Sequence, residues 1–179
     1  MADVLNEGTI GTVLIDLLTA QEEAVDLRTA ELRFDIPLLG QRLVAITDWM
    51  LRQNHLIHLE LGYFGASTGA AAALVAAALV AAAERPAAVR AVVSRGGRPD
   101  LAGMALGAVV APTLFIVGGE DPVVLDLNHS AIQKLPAQTE HKLEIIEGAT
   151  HLFEEPGTLD KVAVLARNWF HRHLKSAQR

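Results

Sequence analysis

Cysteine is absent from the 179 residues, which excludes disulfides and thiolate metal sites and suits a reducing, cytoplasmic setting. Aromatic residues are scarce at 4%, although 51% of the chain is hydrophobic. The core is therefore built from Ala, Val, Leu and Ile, a composition that suits helices packed on a buried parallel sheet. The formal net charge is −6 and no Lys/Arg stretch forms a basic stripe, which speaks against a nucleic-acid partner. The first eight residues carry Asp3 and Glu7 where a secretory signal would carry a basic region and an apolar run. The most hydrophobic run, residues 70–83, is mostly Ala and falls short of the roughly 18–20 residues of a membrane span, so it reads as a buried helix. Also missing are H-E-x-x-H, a P-loop lysine motif and G-x-G-x-x-G, and no metal or cofactor is expected. With no linker rich in Pro, Gly or Ser, residues 1–179 read as a single domain.

What is present alternates. Short β-branched runs at residues 12–18, 57–64, 89–94, 113–117 and 143–147 predict strands. Helical patterns fall between or after them at residues 36–53, 68–83, 126–135 and 159–175. This alternation predicts an α/β fold: a three-layer α/β/α sandwich on a mostly parallel sheet of about five strands. Asp35 is placed to cap the helix whose first turn holds Pro37. Gly8, Gly11, Gly96, Gly97, Gly118, Gly119 and Gly148 fall at strand ends, where turns call for positive φ. The segment Ala-Leu-Val-Ala-Ala occurs twice in succession from Ala73, either as a small tandem duplication or as the drift of an Ala-rich helix. Five residues turn a helix by about 140°, so the downstream copy needs re-docking or a local bulge.

Gly65-Ala-Ser67-Thr-Gly69 fits G-x-S-x-G, with an apolar strand before it and a helix after it. That context holds a serine hydroxyl out on a sharp turn at the carboxyl edge of a sheet, beside a helix N-terminus that favours developing negative charge. The alternative is a Gly-rich turn in which Ser67 merely caps the helix. Chain order supplies a second test, because an acid and a histidine then follow on loops after later strands. Asp121 follows the run 113–117 and His151 follows the run 143–147. In that arrangement His151 takes the proton from Ser67 and returns it to the leaving group, while Asp121 fixes the tautomer of His151. The backbone N–H of Thr68 supplies one oxyanion donor. Glu120 and Asp126 are rival acids; Asp126 reads as the cap of the following helix. Arg95 and Arg98 follow a strand on the same edge and either hold a substrate carboxylate or pair with acids such as Asp100. His55, His58, His129, His141, His171 and His173 read as solvated, and the i, i+2 spacing of the last two is unsuited to a metal pair.

Residues 62–71, 94–102 and 148–157 together resemble bacterial dienelactone-hydrolase-like α/β hydrolases, and the stretch 28–43 is similar to that group as well. Some relatives in that group are joined to, or found beside, phosphoribosyltransferase domains. The resemblance implies ester or lactone hydrolysis through an acyl-enzyme, with Ser67, Asp121 and His151 on the triad positions. Dienelactone hydrolases proper use a cysteine nucleophile, so a serine carboxylesterase acting on small, short-acyl esters is expected. Acyl transfer and perhydrolysis remain alternatives, as does a binding or scaffold protein that keeps the fold without turnover. Such hydrolases begin with further strands and a His-Gly loop that donates a second oxyanion N–H, and this chain lacks both. The strand at 12–18 therefore either slides beside the strand at 57–64 or leaves a gap. A homodimer covering the exposed edge is expected, with Thr19, Gln21 or the partner chain as stand-in for the second donor.

Overall fold

Side chains alternate across a strand, so a β-branched run supplies both faces of a sheet at once. The computed structural model describes residues 1–83 and 89–174, and its strands β1 (Leu61–Ala66), β2 (Val89–Arg95), β3 (Thr113–Gly118) and β4 (His141–Ile146) use that alternation. They form one parallel sheet in the order β1-β2-β3-β4. Tyr63, Val92, Phe115 and Leu143 point to one face, where they meet α4 (Thr68–Ala82) and α5 (Pro122–Ile132). Ala91, Val93, Leu114 and Ile116 point to the other, against α1 (Ala2–Glu7) and α6 (Thr158–His173). The result is a three-layer α/β/α sandwich on a parallel sheet, as the alternation of runs predicts. No described helix is long and apolar enough to cross a membrane.

The alanine-rich helix α4 buries most of its length, from Ala70 to Leu74, Ala76 to Ala78 and Val80, which explains a hydrophobic run that needs no lipid. It runs on without a bulge, so the rotation between the repeated segments appears as exchanged environments. Leu74 of the first copy is 0% exposed, whereas Leu79 of the second is 43% exposed. Val80 is buried and Val75 only half-buried.

Residues 12–18 do not form a strand. Ile10 packs into the cluster around Leu5 and Phe170, and Leu17 and Leu18 pack on Ile36 and Leu39 across the sheet. The intervening stretch passes from one face to the other unpaired, with Val13 54% and Leu14 83% exposed. The outer edge of β1 has no partner strand among the described residues, so the gap, and not the slide, is realised. β1 also begins later than the β-branched run suggests, because residues 52–59 are spent in turns that hold His55 and His58 exposed.

Helices α2 (Ala20–Thr29) and α3 (Ile36–Leu51) are fixed by their caps. Asp35 accepts from Leu38 N–H (3.1 Å). Thr19 and Glu22 form a reciprocal capping box, in which the Thr19 N–H donates to the Glu22 carboxylate and the Thr19 hydroxyl oxygen accepts from the Glu22 N–H. Arg42 of α3 then clasps Glu22 through both nitrogens at 2.6 Å each and donates to Leu17 O (2.7 Å). The Arg42 guanidinium, and next the Thr19 N–H, lower the Glu22 pKa from 4.5 to about 2. Because the folded value lies below the unfolded one, this contribution is complete above about pH 4.5 and is lost as pH falls through about 2. Glu22→Gln is therefore expected to be less stable than wild type at neutral pH, the gap closing as the pH is lowered. Denaturant titrations at a series of pH values test this; a gap that stays constant down to pH 2 contradicts it.

Candidate active site

Three connections at the carboxyl edge of the sheet bring the sequence-predicted residues into one region. Ser67 joins β1 to α4 with φ 49° and ψ −121°, a backbone conformation that L side chains avoid. The turn is held by Ser67 N–H donating to Arg95 O (3.2 Å) and by Arg98 N–H donating to Ser67 O (3.1 Å). A Cβ on Gly65 would run into the Gly69 carbonyl oxygen, so the first glycine of the motif is there for lack of room. A Cβ on Gly69 would meet nothing, so its glycine is not explained by crowding. As the first residue of α4, Thr68 presents an N–H with no acceptor in its own helix, beside the Ser67 hydroxyl.

His151 Nδ1 and Asp121 Oδ2 are 2.7 Å apart, with the histidine side chain 38% and the carboxylate 14% exposed. Their loops are laced together by Glu120 N–H donating to Ala149 O (3.0 Å), while the Glu120 side chain is left in solvent. Asp126 is not a helix cap: α5 starts at Pro122, which makes Asp121 the N-cap residue and puts Asp126 on the helix. Pro122 stands where a missing N–H costs nothing, and that moves the helix start four residues earlier than the apolar pattern suggests. His151 also lies against the loop that holds the serine turn, since a Cβ on Gly96 (φ 49°) would sit 3.7 Å from His151 Nδ1. Ser67 and His151 thus flank the same Arg95–Gly96 stretch. They share no hydrogen bond among the described residues.

The two arginines differ. Arg98 makes a two-pronged pair with Asp100 (2.9 and 2.7 Å), which raises its pKa. Arg95 has no carboxylate partner among the described residues; it donates to Leu152 O (3.3 Å), lies 5.4 Å from the centre of the Phe153 ring, and burial lowers its pKa. Phe153 is fully buried with φ 58°, so the loop after His151 is a second place where backbone strain is tolerated beside the site.

Of the glycines expected at positive φ, Gly96 and Gly148 have it. Gly97 and Gly118 owe their lack of a side chain to close neighbours, Ser94 Oγ and Ala149 O. His173 departs from the solvated reading: its ring packs on Trp169 with centroids 4.4 Å apart, and burial lowers its pKa. Asn128 was not singled out by the sequence, yet it is wholly buried and donates to Gly97 O (3.0 Å). Its signal is faint: a lone amide in the Val124, Asn128, Ala131 stripe that α5 turns inward.

No family model matches the chain. A solved dienelactone hydrolase from Anabaena variabilis is 57% identical with a TM-score of 0.89, over 97% of this chain and 77% of that one. The chain therefore belongs to the dienelactone-hydrolase-like α/β hydrolases. A dienelactone hydrolase-like promiscuous phosphotriesterase from metagenomic libraries shares the fold at 17% identity and a TM-score of 0.65, over 85% of this chain and 69% of that one. A Mycobacterium tuberculosis H37Rv protein provisionally named a phosphoribosyl transferase is 55% identical over 174 residues, 97% of this chain. This chain spans 37% of that relative's length.

Proposed function

We propose that the chain is a serine hydrolase that cleaves small carboxylic esters or lactones through an acyl-enzyme. The observation that carries this is the 2.7 Å pair of Asp121 and His151 beside a serine held at positive φ. Ser67 attacks the carbonyl while His151 takes its proton at Nε2. Asp121 keeps the other ring proton on Nδ1 and stabilises the imidazolium that forms. The oxyanion meets the Thr68 N–H at the start of α4. His151 then returns the proton to the leaving alcohol and activates the water that releases the acid. Arg95, half-buried and free of carboxylates among the described residues, fits the acid group of an anionic ester; Arg98, already paired with Asp100, does not.

Under this reading the phosphoribosyl transferase name of the longer relative belongs to the part of it outside the match. A weakly active protein is the second reading, favoured by the backbone N–H of Thr19, which donates to Glu22 Oε2 (2.8 Å) in the capping box and so is not free as the second oxyanion donor. Losing one such donor costs about 10²–10³ in rate. Hydrolysis of p-nitrophenyl acetate and butyrate by wild type and Ser67→Ala separates the readings. Turnover above background that disappears in the variant is the expected result. Equal rates for the two proteins would mean a fold without chemistry.

A further inference from the structure

Buried polar side chains cost stability unless their atoms are paired, so a buried amide in the middle of a helix calls for a reason. Asn128 is 0% exposed on α5. Its Nδ2 donates to Val124 O one turn back (2.7 Å) and across the structure to Gly97 O (3.0 Å). Its Oδ1 is buried with no partner among the described residues, and so is Ser94 Oγ, which lies close to Gly97. An apolar residue at 128 would avoid that penalty.

Gly97 is tightly enclosed. A Cβ on it would overlap Ser94 Oγ and come within 2.7 Å of the Ala70 Cβ. The next N–H, that of Arg98, donates to Ser67 O (3.1 Å), and Arg95 O accepts from Ser67 N–H (3.2 Å). The loop from Arg95 to Arg98 thus grips both backbone groups of the strained serine. Its own position is fixed at Gly97 by an amide from a separate helix. Strained backbone persists only where surrounding contacts over-determine it.

We propose that Asn128 is a positioning residue. Through the Gly97 carbonyl it sets the loop that holds Ser67 in its turn, and so sets where the Ser67 hydroxyl stands relative to His151. This rests on the hydrolase reading of the site.

Asn128→Asp is the direct test, because it keeps the shape and replaces the donor with an oxygen that faces the Gly97 carbonyl. The expected result is a kcat lowered on the order of ten- to a hundredfold with KM unchanged, the signature of a misplaced reacting group. Asn128→Ser, milder in charge and unable to reach Gly97, is expected to shift kcat in the same sense should the aspartate variant not fold. Thr139→Val is the control: it removes a buried side-chain bond to Val109 O (2.8 Å) that precedes β4 at the opposite end of the sheet. It is expected to lower stability and leave kcat alone. Wild-type kcat in the Asn128 variants, or equal losses in them and in Thr139→Val, overturns the proposal. Should wild type and Ser67→Ala prove equally inactive, the hydrolase reading fails on its own. Amide exchange then decides the positioning claim: faster exchange at Arg98 in Asn128→Asp but not in Thr139→Val supports it, and unchanged exchange overturns it.

Discussion

Asp121→Asn is expected to lower kcat on ester substrates by about 10⁴, with little change in KM. The reason is tautomeric. A carboxylate at 2.7 Å accepts only, so it keeps the proton on His151 Nδ1 and leaves Nε2 free to receive the proton of Ser67. An amide turned to donate to Nδ1 fixes the opposite tautomer, with Nε2 protonated and unable to act as a base. The pair is partly exposed, the histidine at 38%, so its contribution to folding is small and the thermal midpoint is expected to move little. Steady-state kinetics beside a melting curve check both halves. A loss of less than tenfold would mean that Asp121 is not the orienting acid.

The second large effect concerns stability. Leu74→Ala is expected to cost about 2–5 kcal/mol, because its side chain is fully enclosed and the cavity left behind can collapse only partly. Leu79→Ala, the same substitution at the same place in the second copy of the repeat, is expected to stay within about 0.5 kcal/mol of wild type. There the leucine is 43% exposed, and alanine is the better helix former. Urea titrations of the two variants side by side give the comparison. Equal losses would show that the helix docks with a different face than the structure has.

These contrasts mark how far the sequence could be read. The placement of Ser67, Asp121 and His151 on one edge was legible because each follows an apolar run at the carboxyl edge of a parallel sheet, and that edge follows from local pattern. Residues 12–18 were not, since Val13, Leu14 and Ile15 have strand composition and nothing in composition says whether a partner strand stands beside them. The start of α5 was missed because Pro122 opens the helix ahead of its apolar stripe. Asn128 was hidden for the converse reason: its importance comes from a carbonyl 31 residues away, a contact that only the folded chain creates.

The conformation of Ser67 has a consequence for how this chain is expected to have changed over time. Its positive φ burdens every folded molecule by about 1–3 kcal/mol, whether or not a substrate ever arrives. Glycine would occupy the same turn without that burden, at the loss of the hydroxyl. Under selection for folding alone, mutation has a short downhill path from serine to glycine here. A lineage under that regime is expected to drift toward the relaxed residue, whereas one that depends on the hydroxyl is expected to keep the serine and bear the strain.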